Sequence, residues 1–416
     1  MLVIEPRIKE RKIFNIYFKY GIIVLFTVFL LFAKDEEGRV AKAITLNLDL
    51  QQFAIGLLIG MILLLIIKSI TTLKLDIVSL LLIARILTSY FSLVNYDGSF
   101  INFIEAGYFQ LIFLSVIYIY TINVTIDDIG HFMTKILIFA SVIVIFQVYF
   151  VFFNAIMIGV SVTAVKSRIT IPLGRSNFVA MMISFLLIYL SIKLKRSKIK
   201  YMLIILLLIG LVITLSDGAM LSFLLVILLY VISRITNSYI KILLSTIIIL
   251  LGILACMIPL DNLYDFGNNY TIFSSFYETI SNILSGNLKQ ASSGRINIYY
   301  EYINAISKNP IIGYGFYKPF IKMPGSAHNF ILQELYNSGI LGLILYLNVL
   351  IVSFKKLSRF KNRDTFIKAV YYSCLYIVIH SLIEPGILGY KIGFYFWVLI
   401  AAGIVKIKSI RGVKFQ

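Results

Sequence analysis

Apolar runs nearly free of ionisable groups recur along this chain, at 21–33, 55–67, 201–215 and 240–260 among others, and they leave few folds open. A helix crossing hydrocarbon needs about 20 mostly apolar residues, because each backbone N–H and C=O must be satisfied within the segment. These runs are long or dense enough to do so. A β-barrel is excluded, since barrel strands alternate apolar and polar residues over short segments, whereas these runs are apolar on every side. With 60% hydrophobic and 14% charged residues among 416, the chain is too apolar for a water-soluble protein of that size. The expected fold class is an all-α polytopic membrane protein.

The net charge of +19 raises a nucleic-acid reading, which the positions of the basic residues oppose. Arg7, Lys9, Arg11 and Lys12 precede the first run, and basic clusters at 193–200, 355–363 and 406–414 lie between or after later ones. Placing all of these in the cytoplasm satisfies the positive-inside rule, so the charge reports topology. Alternating sides from a cytoplasmic N-terminus gives about twelve spans, centred near residues 23, 60, 84, 112, 146, 184, 208, 225, 249, 345, 375 and 397. Both termini then face the cytoplasm. Residues 215–218 are read either as a tight outer turn between two short spans or as a break within one embedded unit. Residues 1–416 read as a single integral membrane domain with a large extracytoplasmic loop at 261–326 before the tenth span, continuing into a helix at 328–337.

No cleavable signal peptide is read, because the first apolar run is long and lacks a small-residue cleavage site. Cys256 and Cys374 lie in apolar runs without CxxC or Cys/His spacing, which suggests neither a disulfide framework nor a metal site.

Chemistry has one obvious home. Residues 291–342 form a polar island holding Arg295, Lys308, Lys318, Lys322 and His328 beside glycines and prolines, in contrast to the long apolar runs with hardly an ionisable group. Within it, 296–307 is patterned as a surface helix that Asn309-Pro310 ends, and Gly313 and Gly315 mark a turn. A second helix is expected from His328 to Asn337 with Ser326 as N-cap, placing His328 at the outer mouth of the membrane. Gly339 and Gly342 then lead into the tenth span. An outer Arg is as readily a loop anchor or a headgroup contact as a ligand site. The aromatics Tyr314, Phe316, Tyr317 and Phe320 suit either sugar stacking or interfacial anchoring. Arg85, inside the third span, needs a partner such as Asp217 or Glu384. His380, four residues before Glu384, reads as a candidate intramembrane pair, and His131 falls in a predicted cytoplasmic loop.

The island carries an ordered series: Gly294-Arg295, a helix, Asn309-Pro310-Ile311-Ile312-Gly313-Tyr314-Gly315, Ala327-His328-Asn329, Glu334 and Gly339-Ile340-Leu341-Gly342. This series resembles the bacterial O-antigen ligase and polysaccharide polymerase superfamily, membrane glycosyltransferases acting on undecaprenyl-diphosphate-linked glycans. A second stretch, Pro172 to Ala180, resembles that family's Gly-x-x-Asn-x-x-Ala segment at Gly174, Asn177 and Ala180 and carries Arg175. At Leu215-Ser216-Asp217-Gly218 the chain departs from the pattern: ligase-like members often have Ser-Arg-Gly, and Asp217 stands where that Arg would be.

The resemblance implies a GT-C-like helical fold and glycan transfer without a metal ion or cofactor. It implies His328 as general base, since a neutral imidazole accepts a sugar hydroxyl's proton, and Arg295 and Arg175 as binders of the donor diphosphate, with Arg295 stabilising the leaving group. Asn329, Glu334, Lys318, Lys322, Arg85 and Asp217 are expected as substrate contacts or support. The expected function is polymerisation of lipid-linked repeat units at the outer face of the bacterial cytoplasmic membrane, for capsule, exopolysaccharide or O-antigen. Implied partners are the undecaprenyl-diphosphate-linked donor, a glycan or glycolipid acceptor, membrane lipids and other polysaccharide assembly proteins, but no nucleic acid. Ligation to a different acceptor is the near alternative, supported by the same chemistry and opposed by Asp217. A flippase or transporter also has about twelve spans but commonly shows related halves, and no repeat is visible here. A non-catalytic scaffold leaves Arg175, Arg295 and His328 on one side unexplained.

Overall fold

The computed structural model describes residues 20–33, 50–95, 107–124, 129–160, 165, 169–235, 295–316 and 326–412. Its helices are α1 (Tyr20–Phe32), α2 (Leu50–Thr72), α3 (Ile77–Ser89), α4 (Gly107–Val124), α5 (Ile129–Val148, continued by a π-helical turn and Asn154–Met157), α6 (Ser176–Lys193), α7 (Lys198–Ile213), α8 (Asp217–Arg234), α9 (Arg295–Lys308), α10 (Phe330–Phe360), α11 (Thr365–His380) and α12 (Tyr390–Ile410). Every expected span centre falls inside one of these except the one near 249, which lies outside the described residues. Among the described residues, five helices are long and apolar enough to cross a membrane: Ile129–Met157, α6, α8, α10 and α12. The chain is an all-α polytopic membrane protein.

Packing follows from which helices are apolar on every side. In α12, 83% of the most apolar window is buried inside the bundle, against 17% in α8, so α12 is central and α8 peripheral. Around α12, Trp397 meets Phe396 edge-on at 4.9 Å and Tyr118 of α4 at 6.1 Å. α6 packs on α11, α7, α5 and α8, and α3 packs on α10. Leu224 and Leu225 of α8, Ile205 and Ile209 of α7 and Leu63 and Ile66 of α2 remain exposed, as side chains that face lipid do.

The two ends of the bundle differ in chemistry. α6, α8, α10 and α12 close on Lys193, Arg234, Arg359 and Lys408, where cations complement the negative end of the helix dipole. In the turn after α6, Lys200 Nζ donates to the carbonyls of Ser191 and Leu194 at 2.6 and 2.9 Å. At the same end Asp76 caps α3 through Ser79 N–H and pairs with Lys356 at 3.0 Å. Burial raises the Asp76 carboxyl pKa, but the Ser79 N–H and Lys356 more than offset it, leaving the net value lowered. A lowered carboxylate pKa contributes stability that is complete above the unfolded value and lost as pH falls through the folded one. Lys356→Met should therefore lower thermal stability by about 1 kcal/mol, since Lys356 is a third exposed and its pairing is screened, and the deficit should shrink below about pH 4. Differential scanning fluorimetry across pH checks this; a deficit independent of pH would show that lost packing, not charge, is responsible.

The split at 215–218 is a real interruption: α7 ends at Ile213, α8 begins at Asp217, and Leu215 takes φ +57°. α10 is also interrupted, at Gly339, where φ is 62° and ψ −167° and two helical stretches meet across a kink. That break leaves the Tyr336 and Asn337 carbonyls without helical donors, and the N–H groups of Tyr314 and Gly315 take them at 2.8 Å each, while Ile340 N–H donates to Pro310. Glycine is required on both sides of this crossing. A Cβ on Gly339 would stand 2.2 Å from Ile311 O, and one on Gly313 2.6 Å from Gly339 N. The Asn309–Gly315 series is thus a backbone clamp that docks α9 on α10, reinforced by Tyr336 between Tyr302 and Tyr314, both at 5.1 Å.

Candidate functional site

At the end of the bundle opposite the basic turns, three chain segments converge on a carboxylate carried by a fourth. Glu384, in the connection from α11 to α12, is 5% exposed. Its Oε2 lies 3.1 Å from His328 Nδ1, 3.3 Å from Asn177 Nδ2 and 3.9 Å from Arg295 Nη2. Asn177 is held in turn by Ser216, whose Oγ donates to its Oδ1 at 2.8 Å. Burial raises the Glu384 pKa, but the hydrogen bond and attraction of the His328 ring, the charge of Arg295 and the Asn177 amide together more than offset that, leaving it below the usual value. The group is therefore a carboxylate that accepts only.

His328 is placed by an unusual backbone. It takes φ +48°, a region a bulky residue enters at a cost of about 1–3 kcal/mol and keeps only when its surroundings over-determine it. They do so here. Ala327 N–H donates to Gln333 Oε1, His328 N–H to Ser326 Oγ, Asn329 Nδ2 to Leu382 O and Phe330 N–H to Ser381 O. The helix therefore starts later than expected: Asn329, not Ser326, is the N-cap, accepting from Ile331 and Leu332, and His328 stands just outside it. The side chain is free of the helical wall and turned onto Glu384.

Arg295 opens α9, which the clamp fixes against α10. Arg175 closes the hairpin of β1 (Thr170–Ile171) and β2 (Gly174–Arg175) and is the N-cap residue of α6, two positions before Asn177. Asp217 is the first residue of α8, next to Ser216. Neither α6 nor α8 receives a side-chain cap, although helix N-termini carry partial positive charge and unsatisfied N–H groups that suit anions. Ser176 Oγ donates to Thr214 O and ties the two starts together.

Several expectations need correction. Arg85 meets neither Asp217 nor Glu384: its Nε and Nη2 form a fork on Glu334 at 2.8 and 2.6 Å, with Ser338 Oγ on the same carboxylate at 2.9 Å and the Tyr346 ring centroid 4.1 Å from the guanidinium. Glu334 is thereby committed to a buried ion pair and Asn329 to capping. His380 meets Glu384 only through the backbone, Glu384 N–H donating to His380 O at 3.0 Å; its two ring nitrogens are buried without a hydrogen-bond partner among the described residues. His131 sits in the first turn of α5, not in a loop. Tyr314 seats the clamp. Lys318, Lys322, Tyr317, Phe320 and Cys256 lie outside the described residues. Glu384 is the centre the sequence reading missed. Its signal was a carboxylate before Pro385-Gly386 at the end of an apolar run, which was noticed only as a partner for other residues.

Among the described residues no three His, Cys, Asp or Glu side chains gather as a metal site. No curated protein matches the chain. A protein-family model described as O-antigen ligase matches residues 202–347, a stretch that contains Asp217, Arg295 and His328 and stops short of Glu384. Residues 202–347 thus match the O-antigen ligase family, within an all-α membrane bundle.

Proposed function

We propose that this protein is a polysaccharide polymerase, transferring glycan from an undecaprenyl-diphosphate-linked donor to a hydroxyl of an acceptor lipid-linked repeat unit at the outer face of the bacterial cytoplasmic membrane. The observation that carries the reading is the His328–Glu384 contact with Arg295 on the same carboxylate oxygen. A carboxylate on Nδ1 fixes the tautomer with the proton there, which leaves the Nε2 lone pair to accept. Nε2 takes the proton of the acceptor hydroxyl, the oxygen attacks the anomeric carbon, and the bond from that carbon to the diphosphate breaks, its electron pair leaving with the lipid diphosphate. Arg295 Nη2 stands too far from Glu384 for a hydrogen bond, so its donors remain for phosphate oxygens. Arg175 and the uncapped start of α6 add positive potential where the negative charge develops, whereas Asp217 offsets the dipole at the start of α8.

Ligation to a different acceptor is the second reading, favoured by the description of the matched family. Incubating purified protein with defined lipid-linked repeat units and resolving the products decides between them. A ladder supports polymerisation, a single transfer to an added acceptor supports ligation, and unchanged substrate overturns both in favour of transport.

Arginines and a helix start in place of a metal predict that exhaustive chelation leaves turnover intact. Loss of transfer on chelation, restored by Mg²⁺ or Mn²⁺, would contradict the mechanism.

A further inference from the structure

Beside the site lies a cavity of about 380 Å³. It touches the site through three chain neighbours: Phe178 follows Asn177, Pro385 follows Glu384, and Ser326 accepts the His328 N–H. Ligand pockets usually span about 300–1,000 Å³, so this one suits a ligand of one or two rings.

Its lining is specific in chemistry. The charge of Arg85 in its wall is neutralised by Glu334, which makes the cavity a poor host for a diphosphate. Three side-chain amides, Gln110, Gln333 and Asn337, make it too polar for an isoprenoid chain, which would leave them unsatisfied. Gln333 is consumed: its Oε1 accepts from Ala327 N–H and Tyr302 OH, and its Nε2 donates to Asn337 Oδ1. Gln110 Nε2 donates to Leu388 O. What remains for a ligand among the described residues includes an acceptor, Gln110 Oε1, and two donors, Asn337 Nδ2 and the Ser326 hydroxyl, in a cavity also lined by Phe316 and Trp397. Hydroxyls that both donate and accept, on a ring with apolar C–H faces, match that set.

We infer that this cavity seats one neutral sugar ring of the glycan next to the His328–Glu384 site. The inference rests on the glycosyl-transfer reading only for the source of the ring, donor or acceptor. Trp397 is the one tryptophan in the chain, so its fluorescence reports occupancy directly.

The full chain in lipid nanodiscs is titrated with methyl α-D-glucopyranoside, methyl α-D-galactopyranoside and N-acetyl-D-glucosamine, with inorganic pyrophosphate as the charged comparator. At least one sugar should give a saturable change in Trp397 emission that weakens roughly threefold to tenfold in Asn337→Leu, and pyrophosphate should give none. Gln110→Met replaces Asn337→Leu if the latter melts early. The source is read from kinetics with separate lipid-linked donor and short acceptor: a raised KM for one of them in the variant assigns the ring to it. No saturable response to any of the three sugars, an unaltered response in the variant, or no movement of either KM overturns the inference. Transfer activity with a silent Trp397 defeats the cavity alone, whereas sugar binding without transfer defeats the transferase reading alone.

Discussion

His328→Ala should bind the lipid-linked donor as the wild type does and turn it over roughly 10²–10⁴ times more slowly, the usual worth of a positioned general base. The separation follows from geometry, because Arg295 is carried by α9 and its clamp on α10 and does not depend on the imidazole. Ala keeps the Cβ that is strained at φ +48°, so the melting temperature of the variant is compared with that of the wild type before its turnover is read. Arg295→Lys should behave differently in kind: it keeps charge but loses the planar fork, and both donor affinity and kcat should fall. Donor binding and single-turnover rates on protein of wild-type melting temperature check both. Near-normal turnover in His328→Ala removes it from the mechanism, and an unaltered Arg295→Lys reduces Arg295 to a loop anchor.

The largest expected effect on stability belongs to Glu334→Gln. The Arg85–Glu334 pair is almost fully buried, at 5% and 0% side-chain exposure, and removing one charge leaves the other uncompensated at a cost of about 3–5 kcal/mol. The pair joins α3 to α10, with Arg85 in the wall of the cavity, so the loss should appear both in unfolding and in the integrity of the His328 end. A double variant, Arg85→Met with Glu334→Leu, should recover much of it, because a packed apolar pair of similar volume carries no desolvation penalty. Thermal unfolding of the two single variants and the double variant makes the comparison. Single variants as stable as wild type would mean that water reaches the pair.

The spans were legible because hydrocarbon imposes a length and an apolar composition on any helix that crosses it, and that constraint is local in sequence. The same holds for the end of α9 at Asn309-Pro310 and for the turn at Gly313 and Gly315, whose φ values of 68° and 97° only glycine adopts without strain. Partners across the bundle were not legible. Arg85 and Glu334 are 249 residues apart, and His328 and Glu384 are 56 apart; sequence spacing ranks neither above Asp217 or His380 as a partner, since the choice is made by helix rotation and by the break at Gly339. The start of α10 was misplaced by the same kind of ambiguity: Ser326 and Asn329 are both good caps, and Asn329 won because its amide also reaches Leu382 O.

The most direct measurement counts products in a single turnover. Purified protein is mixed with excess acceptor and a lipid-linked donor labelled in both glycan and lipid, and undecaprenyl diphosphate and new glycosidic bonds are quantified together by mass. The account predicts one lipid diphosphate released for each glycosidic bond formed, with the diphosphate intact, and both products suppressed together in His328→Ala. Release of lipid monophosphate, or recovery of unchanged lipid-linked glycan from folded wild-type protein, would contradict it.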